Sequence, residues 1–174
     1  HNYTNPEDIV LTADWYWGAY EQICGDNHRH LETYPLFDAE LKFNFEGFKA
    51  KVLEVAAKQE NVVTIFNTPG NNPTGFSLTD EDWDKVIAFT KELVANGKNK
   101  FIIACDVAYI DYSGEKQTVR RFFKKFSQLP KEIFVVVCYS LSKGFTLYGQ
   151  RVGAMIGITS DADVDAEFKE INAL

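Results

Sequence analysis

Between Ser140 and Gly153 the chain reads SLSKGFTLYGQRVG, directly after the apolar run IFVVVCY. Lys143 sits there among hydroxyls and glycines, and Arg151 follows it by eight residues. A strand end that needed only solubility would not require an amine, two serine hydroxyls and a guanidinium fork so closely spaced. Other apolar runs end in the same way. NVVTIF is followed by NTPGNNPTG, which contains Asn72, and FIIAC is followed by Asp106, with Tyr109 three residues on. IVLTA is followed by Asp14 and Trp15. If these runs are strands of one open sheet, their carboxyl ends gather an amine, a carboxylate, a phenol, an amide, hydroxyls, a guanidinium and an indole. Ligands of open α/β sheets bind at that edge.

Each group has an ordinary explanation when taken singly. NTPGNNPTG is a turn-rich loop leading into a helix. An aspartate after a strand caps or closes a loop, a lysine is solvated, and a tryptophan packs in the core. Separate explanations would be needed at every strand end at once, so the set points to a site.

The elements that position these groups follow from periodicity. Strands are expected over Ile9 to Ala13, His30 to Phe37 (weaker), Asn61 to Phe66, Phe101 to Cys105, Ile133 to Tyr139 and Gly153 to Ile158. The third to fifth are continuously apolar, the pattern of strands covered on both faces. Between them, Glu46 to Lys58 carries a stripe of Phe48, Val52, Val55 and Ala56. Thr79 is a good N-cap for a helix with acidic residues in its first turn, a core stripe including Trp83, Val86, Ile87, Phe89, Thr90 and Val94, and Gly97 as its stop. Gln117 to Ser127, which holds the basic run RRFFKKF, reads as one amphipathic helix with its charges in water, and a charged helix begins at Asp161. Strands alternating with helices give an α/β fold with a mostly parallel sheet and helices on both faces.

The 174 residues suffice for one domain with a core, and 45% hydrophobic with 14% aromatic content fits a packed protein. A net charge of −7 argues against nucleic-acid or anionic-membrane partners. Three cysteines give no disulfide framework; Cys105 and Cys138 lie in apolar runs and are expected buried and reduced, which favours a cytoplasmic location. No apolar stretch approaches the roughly 18 residues of a membrane span. The three histidines have no metal-ligand spacing, so no metal is expected. A chain that opens on His1 and has Met155 as its only methionine reads as a fragment.

The segments NNPTG, DVAY and SLSKGFTLYGQRVG, with FDAELKFNFEGF upstream, resemble the class I aminotransferases of the aspartate and aromatic amino acid kind, which are fold-type I pyridoxal-phosphate enzymes. The likeness runs from about Ile9 to the end. It implies pyridoxal 5′-phosphate as cofactor, with Lys143 holding its aldehyde as a Schiff base and later acting as general base. Asp106 would pair with the protonated ring nitrogen, and Tyr109 and Asn72 would hydrogen-bond the phenolic oxygen. Arg151 would clamp the phosphate with its planar fork, Ser140 and Ser142 would add hydroxyl donors, and Trp15 would stack on the ring. The implied reaction is a two-stage transfer of an amino group from an amino acid to a 2-oxo acid.

The same resemblance implies that this chain is a partial large domain, residues 1–174, without the first strand of the sheet, the glycine- and serine-rich phosphate loop or the small domain. The whole protein would be a homodimer, and the separate piece is expected to be inactive. Two rival readings share the scaffold: a pyridoxal-phosphate carbon–sulfur lyase and a non-catalytic regulatory domain. A nucleotide-binding domain is disfavoured, because neither GxGxxG nor GxxxxGK[ST] occurs.

Overall fold

In the computed structural model, which describes residues 2–172, the apolar runs become strands of one sheet. They are β1 (Ile9–Ala13), β2 (His30–Tyr34), β3 (Asn61–Asn67), β4 (Lys100–Asp106), β5 (Ile133–Ser140) and β6 (Gly153–Ile158). The spatial order is β2-β1-β3-β4-β5-β6; β1 to β5 are parallel and β6 runs antiparallel to β5. From β1 the chain goes outward to β2 and then crosses back to β3. A crevice opens at such a reversal, at the carboxyl ends of the strands. The expected second strand is shorter than its apolar pattern because Pro35, which has no N–H to give the ladder, follows Tyr34.

Alternate residues of the parallel strands face opposite layers. One face carries Leu11, Val62, Phe66, Phe101, Ile103, Ile133 and Val135 into the main core. Helices α2 (Phe45–Ala56) and α3 (Asp80–Val94) cover it. The Asn44 side chain caps α2 by accepting from Gly47 N–H at 2.8 Å. Thr79 and Asp82 cap α3 reciprocally, and Gly97 beyond its end takes φ +71°. Phe48 is fully buried against Tyr34, Phe66 and Phe89, with ring centroids 5.2, 5.6 and 6.0 Å away. Trp83 stacks on Phe122 at 5.3 Å. Burying rings of this size contributes about 1.5–3 kcal/mol each.

The other face is thinner. Ile102, Phe134 and Val136 pack against Tyr3 and against Val164 and Phe168 of α6 (Ala162–Ile171). Helix α1 (Ala19–Asp26) contributes Ile23 and Cys24 to an apolar groove of about 440 Å3 there.

Two further expectations change, for the basic segment and for Cys138, and two features had no forecast, helix α1 and the exposure of β6. Helix α1 was not anticipated: it has no side-chain cap and buries only Tyr20 and Cys24, too short a stripe to register. The basic segment is not one helix, because Arg120 (φ −102°, ψ 0°) separates the short α4 (Lys116–Val119) from a 3-10 stretch over Arg121–Phe126. Phe122 and Phe126 are nevertheless buried. Strand β6 is apolar but largely exposed, since it forms the sheet edge. Cys138 is exposed rather than buried, whereas Cys105 is buried as expected. The Cys138 side chain lines the open groove instead of the main core.

Candidate functional site

At the carboxyl edge of the sheet lies a cavity of about 330 Å3. Its walls come from the segments that follow β1, β3, β4 and β5, so residues far apart in sequence meet only because the strands are parallel and in register.

Asp106 is the last residue of β4 and faces this cavity. Its Oδ1 accepts the Ala108 N–H at 3.1 Å and its Oδ2 accepts the Tyr20 hydroxyl from α1. The Asp106 carbonyl accepts from Asn67 Nδ2 at 3.1 Å, so main chain and side chain are both held. Burial first, and then the Asp106 carboxylate, push the Tyr20 phenol well above its ordinary value. It therefore stays a proton donor.

Asn67, the last residue of β3, also organises the next loop: its Oδ1 accepts the Asn72 N–H at 2.6 Å. In that loop Thr68–Pro69 and Asn72–Pro73 are cis, and Gly70 has φ +76°. A side chain at Gly70 would strike Ser113 Oγ and crowd Tyr109, so glycine is required there. Asn71, buried beneath the loop, donates to the Trp15 carbonyl at 3.0 Å and accepts from Thr74 Oγ1 at 2.7 Å.

Strand β5 ends at Ser140, whose hydroxyl accepts the Ser142 N–H and opens the one-turn α5 (Leu141–Gly144). This turn presents Lys143, whose Nζ lies 5.5 Å from the Tyr109 ring centre and 5.0 Å from that of Tyr148. An ammonium between two aromatic faces is attracted by both. Arg151 follows a 3-10 turn in the left-handed conformation (φ 52°, ψ 40°), and its Nη1 donates to the Tyr148 carbonyl at 3.1 Å.

The cavity brings together Asn72, Asp106, Tyr109, Ser140, Ser142, Lys143 and Arg151, seven of the eight residues singled out from sequence. Trp15 is the exception. It is not part of the cavity lining; its side chain is about half exposed, and its carbonyl serves Asn71. The chain bends away from the sheet after Ala13, with the Asp14 carboxylate tied to the Leu36 N–H, and the indole that lines the cavity is Trp17. Asn67 and Tyr148 also line it without having been anticipated. Asn67 was visible as the polar residue next after an apolar run, and Tyr148 lies between the lysine and the arginine. No local signal marks Tyr20.

A sequence model described as "Aminotransferase class I and II" matches residues 3–172, and the chain belongs to that family. Among curated relatives, the aromatic-amino-acid aminotransferase of Paracoccus denitrificans is 27% identical over 91% of this chain and 38% of its own length. The mitochondrial aspartate aminotransferase of Dictyostelium discoideum is 29% identical over 84% and 32%. Among solved structures, an aminotransferase from Anaerococcus prevotii superposes with a TM-score of 0.94 at 39% identity, covering 97% of this chain and 41% of that one. An aromatic-amino-acid aminotransferase from Burkholderia pseudomallei, covalently bound to pyridoxal phosphate, gives 0.72 at 28% identity, with 95% and 39% covered. The chain thus spans from 32% to 41% of the length of these proteins.

Proposed function

We propose that this chain forms the cofactor-binding core of an aminotransferase that moves an amino group from an L-amino acid to a 2-oxo acid, of the aspartate or aromatic kind, using pyridoxal 5′-phosphate. The observation that carries the reading is the convergence of Lys143, Asp106 and Arg151 on one cavity. Their chemistry fits the group: an amine for its aldehyde, a carboxylate for its ring nitrogen and a planar fork for its phosphate. Bound there, the cofactor would supply an electron sink for the charge left at the α-carbon of an amino acid.

The chain's own residues have separate duties in this reading. Lys143 Nζ holds the cofactor and, when freed by an incoming amine, moves the proton at the substrate α-carbon. Asp106, already fixed by two donors, accepts the ring N–H on a remaining lone pair. Tyr109 and Asn72 donate to the phenolic oxygen. Ser140 and Ser142 add hydroxyl donors beside Arg151 at the phosphate. Trp17 takes the place at the ring face that Trp15 was expected to fill.

The proposal extends to a whole protein that works as a homodimer in the cytoplasm on amino and oxo acids, without nucleic-acid or membrane partners. A net charge of −7 supports the last point. Among the described residues no helix is long and apolar enough to cross a membrane.

The test is borohydride reduction of the whole protein with pyridoxal 5′-phosphate, followed by peptide mapping. The label is expected on Lys143, and Lys143→Ala is expected to lose both the label and amino transfer while keeping the fold. A label on a different lysine, or undiminished transfer in that variant, would end the reading. An amino acid supplied without an oxo acid should give one half-reaction, whereas repeated turnover would identify a lyase.

A further inference from the structure

The Tyr20 hydroxyl reaches the Asp106 carboxylate across 86 residues of sequence, from a helix that no motif pointed to. We propose that Tyr20 is a positioning residue, which fixes Oδ2 of Asp106 so that the carboxylate meets the cofactor's ring nitrogen in a set orientation. The inference rests on the cofactor assignment made above and adds to it a residue specific to this chain's geometry.

A carboxylate turns readily about its last torsion, which is broad and two-fold. Here each oxygen has its own donor, and the donors come from different elements: the Ala108 N–H from the loop after β4, and the phenol from α1. Rotation would break both bonds. Asn67 holds the main-chain carbonyl of the same residue, so the group cannot swing as a unit either. Two donors leave acceptor capacity on the carboxylate for a third.

The phenol is itself well held. Tyr20 is 6% exposed, and its ring meets Trp17 edge-on, with centroids 5.7 Å apart and planes at 82°. Trp17 lines the cavity. Tyr20 therefore bridges two residues that line the cavity, the Trp17 indole and the Asp106 carboxylate. Burial and the neighbouring charge both keep the phenol protonated, so it only donates.

Tyr20→Phe removes the hydroxyl while keeping the ring and its contact with Trp17. With the whole protein and pyridoxal 5′-phosphate labelled with 15N at the ring, two quantities are read: the dissociation constant and the pH at which the ring-nitrogen resonance moves. A hydrogen bond to a charged group is at stake, so affinity should fall roughly tenfold or more. The ring nitrogen should lose its proton at lower pH than in wild type, part of the way to an Asp106→Asn reference. A purely structural role would lower thermal stability and leave the ring-nitrogen titration in place; that outcome, or unchanged affinity, overturns the proposal. Failure of the wild-type protein to take up the cofactor would instead remove the cofactor assignment. Should Tyr20→Phe not fold, 13C-tyrosine spectra decide: the Tyr20 resonance should move on cofactor addition and in Asp106→Asn, and a resonance unmoved by both overturns the proposal.

Discussion

Gly144 backs directly onto the Asp111 carboxylate: a methyl group added at position 144 would lie 2.5 Å from Oδ2. Both oxygens of Asp111 are already engaged. Its Oδ2 accepts the Tyr139 hydroxyl at 2.7 Å, and its Oδ1 is paired with Arg120 at 2.6 Å. On the same turn the Tyr112 hydroxyl donates to the Lys143 carbonyl at 2.8 Å. The main chain that carries the lysine is thus packed from behind by a small ionic cluster.

Gly144→Ala should therefore displace the Lys143 turn or break the Asp111 cluster. A loss of about 1–3 kcal/mol in urea unfolding is expected, typical of overpacking, together with less borohydride-trapped cofactor on Lys143. Adding Asp111→Ala removes the obstruction, so the double variant should lose less than the sum of the two single ones. Full additivity would mean that the two residues do not meet as described.

In the proposed reading Arg151 joins a phosphate-binding role to a backbone conformation that costs a non-glycine residue about 1–2 kcal/mol. The two contributions can be separated. Arg151→Gly relieves the backbone and Arg151→Ala does not, so the glycine variant should be the more stable by about 1 kcal/mol. Both lack the guanidinium and should lose affinity for pyridoxal 5′-phosphate alike. If the glycine variant bound the cofactor markedly better than the alanine one, backbone shape rather than the side chain would be what matters there.

The sequence made most of this site legible because its groups follow strand ends directly. Asp106, Asn72 and the Ser140–Arg151 segment each trail an apolar run, and a parallel sheet brings such positions to one edge. Contacts whose partner lies far away in the chain were not legible. Tyr20 touches Asp106 only because α1 packs beside the strand ends, and the choice of Trp17 over Trp15 depends on a bend with no turn signature. Burial at the sheet margin was likewise hidden: β6 is as apolar as its neighbours, and its exposure depends on what lies beside it.

At the start of α3, Thr79 Oγ1 accepts the Asp82 N–H at 3.1 Å, and Asp82 Oδ2 accepts the Thr79 N–H at 2.9 Å. Thr79→Ala should cost about 1 kcal/mol by urea unfolding. Asp82→Ala should cost a similar amount, and the pair less than the sum, because either change opens the same reciprocal box. Since α3 carries Trp83 into the core, hydrogen exchange should quicken first in its opening turn. Equal protection in wild type and Thr79→Ala would show that packing alone fixes that end.

Alkaline stability brings the buried phenols and thiols together. Burial, and then the charge of Asp106, raises Tyr20; burial, and then Asp14, raises Tyr34. The hydrogen bond to Asp111, and then burial, raises Tyr139 above the ordinary 10.0. Cys24 and Cys105 are raised from 9.0, chiefly by burial. In every case the folded chain keeps a proton that the unfolded chain releases. The unfolded state then binds fewer protons, and stability must fall as pH rises. The contribution is intact below the unfolded values, so the decline should begin near pH 9 with the thiols and steepen above pH 10 with the phenols. Phenolate absorbance gives a second reading of the same balance. Of the eight tyrosines, Tyr20 and Tyr34 should ionise only as the chain unfolds, so part of the absorbance rise should coincide with loss of the far-ultraviolet circular dichroism signal. Stability that stayed level from pH 9 to 11, or complete phenol titration in a still-folded chain, would contradict the burial of these side chains.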